Sequence, residues 1–134
     1  MFVLIVGGGR VGASLAKELV SRGHRVRIVE KRDARCEELR GQGLDAICGD
    51  GNDPAVLREA GAAEAQVVVA ATAEDEDNVV VGLLSRFELG VPRVIGRVNN
   101  PKNAWLFTPD LGVDAAVEPG RVVVRLFVDE VLRS

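Results

Sequence analysis

Three glycines and one acid carry the chemical signal in this 134-residue chain. In the stretch Gly7-Gly8-Gly9-Arg10-Val11-Gly12, glycines 7, 9 and 12 have the spacing G-x-G-x-x-G, and Glu30 follows 18 residues after the last of them. The pattern suits a ligand that carries phosphates. Gly7 permits a tight turn, Gly9 has no Cβ to obstruct a pyrophosphate, and Gly12 lets a helix pack close to the preceding strand. The first N–H groups of that helix then face the phosphates. A carboxylate at Glu30 accepts hydrogen bonds from ribose hydroxyls and repels a 2′-phosphate, which favours NAD or an adenosine nucleotide over NADP. Lys31 and Arg32 pull mildly the other way and read better as a solvated rim.

Other groups that could do chemistry are fewer. Asp50, in the run CGDGNDP, falls just past a strand on the same edge as the glycine loop. It serves either the adenine end of a ligand or a turn, and its spacing leaves both open. The only histidine, His24, lies in the turn entering the second strand, on the opposite edge. Cys48 ends a buried run and reads as a core filler. The acids of EDEDN at 74–78 suit the first turn of a helix, whose dipole explains them without a metal. There is no tyrosine. A set that could move a substrate proton does not assemble, so the residues point to a binding module rather than an enzyme.

The elements that must position these groups alternate along the chain. β-Branched runs at 2–6, 26–30, 45–48, 66–71, 93–97 and 114–117 are separated by helical patterns. Val11, Leu15 and Leu19 share one face over 11–22. Asp53 and Pro54 open a helix that stops at Gly61. Thr72-x-x-Asp75 has the form of a capping box for a helix over 73–89 ending at Gly90, and Asn100-Pro101 opens a short helix. Strands that read as continuous apolar runs need helices on both faces. The expected fold is therefore α/β: a Rossmann-like, doubly wound, mainly parallel six-stranded sheet in the order 3-2-1-4-5-6. Six such units fill residues 1–134 as one domain with no linker left over.

Composition excludes several classes. The net charge of −3 presents no basic field for nucleic acid. No apolar run approaches the roughly 18 residues a membrane span needs, and the five-residue apolar start lacks the basic residues of a signal peptide. The two cysteines, Cys36 and Cys48, have neither CxxC spacing nor histidine partners. They suggest a reducing, cytosolic setting without a zinc site, and no disulfide is expected.

The segments GGGRVGASLAKEL, GDGNDPAVLREAG, ATAEDEDNVVVGLLSRFELGVPRVIGRVNNP and LGVDAAVEP, in this order, resemble the N-terminal nucleotide-binding (RCK or KTN, TrkA-N) domain of Trk/Ktr potassium-uptake regulators. The resemblance covers essentially the whole chain. It implies a cytoplasmic ligand sensor, peripheral at the inner face of the cell membrane, that binds NAD(H), or ATP and ADP in some branches, and regulates a potassium transporter or channel subunit. It implies that Gly7, Gly9, Arg10, Val11 and Gly12 hold phosphates, Glu30 the adenosine ribose, and Asp50 and Gly51 the adenine. Ala71 and Thr72 would line the other half of the ligand, with Arg97 facing the phosphates. Many members continue into a second, smaller regulatory domain, whereas this sequence stops at Ser134; a trimmed piece and a stand-alone subunit are both compatible with that. The rival reading is the cofactor domain of an NAD-dependent dehydrogenase separated from its substrate domain.

The last helix, about 120–133, points to a partner by itself. Arg121, Arg125 and Asp129 form a narrow polar stripe, and Val122, Val123, Val124, Leu126, Phe127, Val128, Val131 and Leu132 occupy almost everything else. A helix packed on one sheet face needs a single apolar side. The expectation is one side on its own domain and the other on a second copy, as a dimer or a larger homo-oligomer; burial within its own domain is the alternative.

Overall fold

Alternation along the first strand explains the layers. In the computed structural model, which describes residues 1–133, all five residues of β1 (Phe2–Val6) are buried. Phe2, Leu4 and Val6 join one apolar cluster, and Val3 and Ile5 join another on the opposite face. The strand is thus covered twice, as a continuous apolar run requires.

β1 pairs with β2 (Arg25–Glu30) on one side and β4 (Val67–Ala70) on the other. β3 (Ala46–Cys48) lies outside β2, and β5 (Arg93–Arg97) and β6 (Ala115–Val117) extend the far side. The order is β3-β2-β1-β4-β5-β6. All five ladders are parallel, which sharpens the mainly parallel expectation. Helices α1 (Arg10–Ser21) and α2 (Asp33–Gly41) supply Ala13, Ala16, Cys36 and Leu39 to one cluster. Helices α3 (Pro54–Glu59), with its C-cap residue Ala60, and α4 (Asp75–Leu83) supply Leu57, Ala60 and Val81 to the other. The loops leaving β1 and β4, neighbours at the point where the strand order reverses, open on one edge of the sheet, where such folds bind ligands.

Local punctuation mostly follows the sequence. The Asp53 carboxylate accepts from the Ala55 N–H at 2.9 Å to cap α3, with Pro54 in the first turn. Asn100 accepts from the Lys102 N–H at 3.0 Å, though the segment it opens, Pro101–Leu106, is a 3-10 helix. α4 passes into a π-helical turn, Leu84–Glu88, before Gly90, whose φ of +68° suits glycine.

Three expectations need correction. Thr72 and Asp75 form no capping box: Glu74 is the N-cap residue. The Asp75 carboxylate instead accepts from the backbone N–H groups of Asn99 and Asn100, at 2.6 and 2.9 Å. These donors sit just past the end of β5, and they draw the acid away from its own helix. Cys36 and Cys48 are joined as a disulfide, with Cα atoms 5.7 Å apart. The α2–β3 connection folds the helix back over the strand it leads into, which brings together two residues 12 apart that share no recognisable spacing.

The third correction concerns α5 (Pro119–Val131), which has no buried residue. Phe127 is 66% exposed, and Val124, Leu126 and Val131 are also exposed. Neither side of the helix packs on its own sheet, which removes both the one-sided arrangement and the alternative of burial at home. The strand that precedes it, β6, is three residues long and itself ends in an exposed Val117, so the helix leaves that edge uncovered as well.

Candidate functional site

The glycine loop turns at Gly7, whose φ is +110° and whose N–H donates to Val29 O at 2.9 Å. Gly12 lies one turn into α1, where a Cβ would run into the Gly7 carbonyl oxygen. Gly9 is the N-cap residue, with no side-chain cap on the helix and no atom within 4 Å of where its Cβ would be. The first N–H groups of α1 are therefore left for whatever lies beyond the loop. Gly7 thus makes the turn and Gly12 the close approach that the spacing predicts.

A cavity of about 490 Å³ lies there, lined by Gly7, Gly9, Arg10 and Val11 at one end. Glu30, Asp50 and Gly51 line it from β2 and β3, and Ala71, Thr72 and Arg97 from β4 and β5. Of the residues expected at the site, only Gly12 stands off the wall, holding the helix against the loop. His24 lies away from it, with Nδ1 3.0 Å from the amino group of Met1.

Glu30 is nearly buried, with 4% of its surface exposed. One carboxylate oxygen accepts from the Gly8 N–H at 2.9 Å, and the other from the Arg32 N–H at 2.8 Å and Arg32 Nε at 3.0 Å. Burial pushes this carboxyl up. The bonds from the Arg32 side chain and from the Arg32 and Gly8 backbones outweigh that, and the pKa lies below the ordinary value. The same acid thus fixes the second turn of the glycine loop and keeps a negative charge at the cavity. Arg32, read from the sequence as rim, pairs with this acid. Lys31 sits 3.7 Å from Asp77.

Asp50 performs the turn chemistry: it accepts from the Asn52 N–H at 2.9 Å. It also lines the cavity, so the two readings of this residue are compatible. Gly51 is buried at a point where a Cβ would meet Val6. Arg97 brings a cation to the wall, and its Nε is buried without a hydrogen-bond partner among the described residues.

The sequence reading missed what holds the β4–β5 side together. Asn78, fully buried on α4, accepts from the Thr72 N–H at 2.9 Å and donates to Thr72 O and Arg97 O at 3.0 and 2.9 Å. One side chain thereby fixes the ends of both strands at the cavity. Asp75 ties the next loop to the same helix through Asn99, Asn100 and Asn103. Burial raises its carboxyl, but the bonds from Asn103, Asn99 and Asn100 prevail and hold the pKa below the ordinary value. Asp77 accepts from Asn52 Nδ2 at 2.8 Å across the cavity. An asparagine in the first turn of a helix, four residues after its N-cap, was the available signal.

Uncapped N–H groups, a buried carboxylate and an arginine whose Nε has no partner among the described residues surround one cavity, an arrangement that suits a ligand carrying anionic groups and hydroxyls. The described residues include no helix long and apolar enough to cross a membrane.

Comparison with known proteins places the chain in a family. Residues 3–119 match the TrkA-N domain family. The chain is 38% identical over 131 residues to the Trk system potassium uptake protein TrkA of Mycobacterium tuberculosis, covering 98% of this chain and 60% of that protein. It is 42% identical over 123 residues to a TrkA homolog of Methanothermobacter thermautotrophicus, covering 90% and 56%. The chain thus spans less than two thirds of the length of these curated relatives. Among solved structures, the TrkA-N domain of the Escherichia coli inner membrane protein ybaL superposes with a TM-score of 0.86 at 22% identity, covering 98% of this chain and 96% of that one. The GsuK channel bound to NAD superposes with a TM-score of 0.77 at 26% identity, covering 87% and 21%. GsuK bound to ADP gives 0.82 at 22% identity, covering 96% and 33%. Matched over most of its length, the chain belongs to the TrkA-N domain family.

Proposed function

We propose that this chain is the nucleotide-sensing part of a potassium uptake system, binding NAD(H) or an adenine nucleotide and passing the bound state to a membrane transporter or channel subunit. One observation carries the reading: the uncapped N-terminus of α1 and the buried Glu30 carboxylate, which a single hydrogen bond through Gly8 links, open on the same cavity. Phosphates lie against Gly7, Gly9, Arg10 and Val11, where the helix N-terminus favours negative charge. Arg97 adds a charge-assisted donor whose Nε has no hydrogen-bond partner among the described residues. The ribose hydroxyls take the Glu30 carboxylate, with adenine against Asp50 and Gly51 and the rest of the ligand along Ala71 and Thr72. The acid at Glu30 disfavours a 2′-phosphate.

The named relatives are components of potassium uptake systems, which supports a regulatory and non-enzymatic role on the cytoplasmic side of the membrane. The bare α5 supports self-association. Two copies that bury this helix against each other form a closed dimer, through which nucleotide-dependent movement reaches a shared pore. The test is a calorimetric panel of NAD, NADH, NADP, ADP and ATP against the purified chain. NAD(H) or an adenosine nucleotide binds and NADP binds more weakly. Absence of binding by all five, or a preference for NADP, refutes the reading.

A further inference from the structure

The chain's only two cysteines meet beside the cavity. Cys36 is fully buried in the first turns of α2, and Cys48, the last residue of β3, is half-buried. They are joined, and in the strand register Cys48 stands directly opposite Glu30. The Gly49 N–H donates to the Glu30 carbonyl oxygen at 3.0 Å, and the chain then runs straight into Asp50 and Gly51 on the cavity wall. On the helix side, Arg35, next to Cys36, donates from Nε to the Gly8 carbonyl oxygen at 2.6 Å. Arg32, the N-cap residue of α2, holds the Glu30 carboxylate. The bridge therefore ties the helix that grips the glycine loop and Glu30 to the strand whose end carries Asp50 and Gly51 on the cavity wall.

β3 is a three-residue edge strand with one neighbour, so its end has few backbone bonds to hold it. A covalent tie has the greatest effect on such an end. We propose that Cys36 and Cys48 are a reversible thiol–disulfide switch on the cavity, oxidised by a peroxide and reduced by small thiols, and that the bridged form binds nucleotide more tightly. This rests on the reading of the cavity as a nucleotide site.

The chemistry balances. The Cys48 thiolate, the more accessible of the two, attacks a peroxide oxygen; the O–O bond breaks, giving a Cys48 sulfenic acid and a hydroxide that is protonated to water. The Cys36 sulfur attacks Cys48, the S–O bond breaks, and the departing hydroxide leaves as a second water with the Cys36 proton. The two sulfurs lose two electrons in total, and hydrogen peroxide gains them. Two small thiols reverse the step and leave as their own disulfide. With the bridge open, both thiols remain small apolar fillers of the cluster around Leu39, so the fold persists. What changes is the freedom of the Gly49–Asn52 segment, which a ligand must then order at a cost in affinity.

The experiment uses the whole chain, treated with hydrogen peroxide or with dithiothreitol. Alkylation of the unfolded protein and mass spectrometry count the thiols, and calorimetry with NAD and ADP reads the affinity of each form. The peroxide-treated protein loses two hydrogens and no free thiol remains, and its affinity exceeds that of the reduced protein by about three- to tenfold. Cys48→Ser binds like the reduced protein and ignores peroxide. Failure of the bridge to form, or a Cys48→Ser protein that still responds, overturns the switch. Equal affinity of the two forms also overturns it and leaves the nucleotide site standing. Absence of binding by either form removes both proposals together.

Discussion

Two helices of similar length show opposite fates for apolar surface. α1 contributes Gly12, Ala13 and Ala16 to the interior, all small, yet it is packed against the sheet and delivers the glycine loop to the cavity. α5 carries far larger apolar side chains and buries none of them. The difference is what lies opposite. α1 packs over the cluster that holds Ile5 and Ile28, and at position 12 it comes so close to the Gly7 carbonyl that only glycine fits. α5 follows a short edge strand with a half-exposed end. Apolar content thus measures how much surface a helix has to bury, and the topology decides whether the chain itself supplies the other half. A run of exposed Val, Leu and Phe this long is the kind soluble monomers rarely leave in water.

Substitutions at the two helices test that contrast. Gly12→Val puts a branched side chain into the Gly7 carbonyl and is expected to destabilise the fold by about 3 kcal/mol or more, measured by urea unfolding. A stable Gly12→Val protein would mean that α1 is not held by close approach. Glu30→Ala acts at the loop that α1 anchors. Binding of the preferred nucleotide weakens by roughly 1–3 kcal/mol as the charged acceptor is lost. Calorimetry giving unchanged affinity would take Glu30 out of the site.

The opposite wall depends on a charge. The pKa of Asp75 is lowered in the folded protein, so its carboxylate adds stability above its unfolded value, and that stability is lost as pH falls through the folded value. Glu30 has the same sign. Melting temperature is therefore expected to fall steeply below about pH 4, and Asp75→Asn to flatten part of that slope while costing about 1 kcal/mol at neutral pH. An identical pH profile for wild type and variant would contradict the assignment. Phe127→Asp gives the smallest effect on the folded unit. The stability of a single copy changes by no more than about 0.5 kcal/mol, while sedimentation shifts toward monomer. Wild-type protein that already sediments as a monomer at high concentration would refute the dimer.

The cavity's near wall was legible because its chemistry is backbone chemistry at fixed spacing. Gly7 and Gly12 each answer a local steric demand, Gly9 leaves open space at the helix start, and Glu30 follows from the length of one β-α-β unit. The far wall was legible only in outline. Ala71, Thr72 and Arg97 were placed by resemblance, but the clamp that positions them is Asn78. Its partners are a residue six back and a carbonyl 19 ahead, and no periodicity announces such a pairing. Asp75 misled for the same reason. Its position beside a helix start suggested a local cap, whereas donors 24 and 25 residues away hold it.

The sequence by itself determined the strand order, the glycine turn and the acid opposite it, since apolar runs, turn residues and a right-handed parallel crossover leave little choice. Tertiary structure alone decided that Cys36 meets Cys48, that Asn78 bridges two strand ends and that α5 stands bare. Each of these depends on which surface another element has already covered. A side chain's type sets what it can bond, and only the packed chain sets what is within reach.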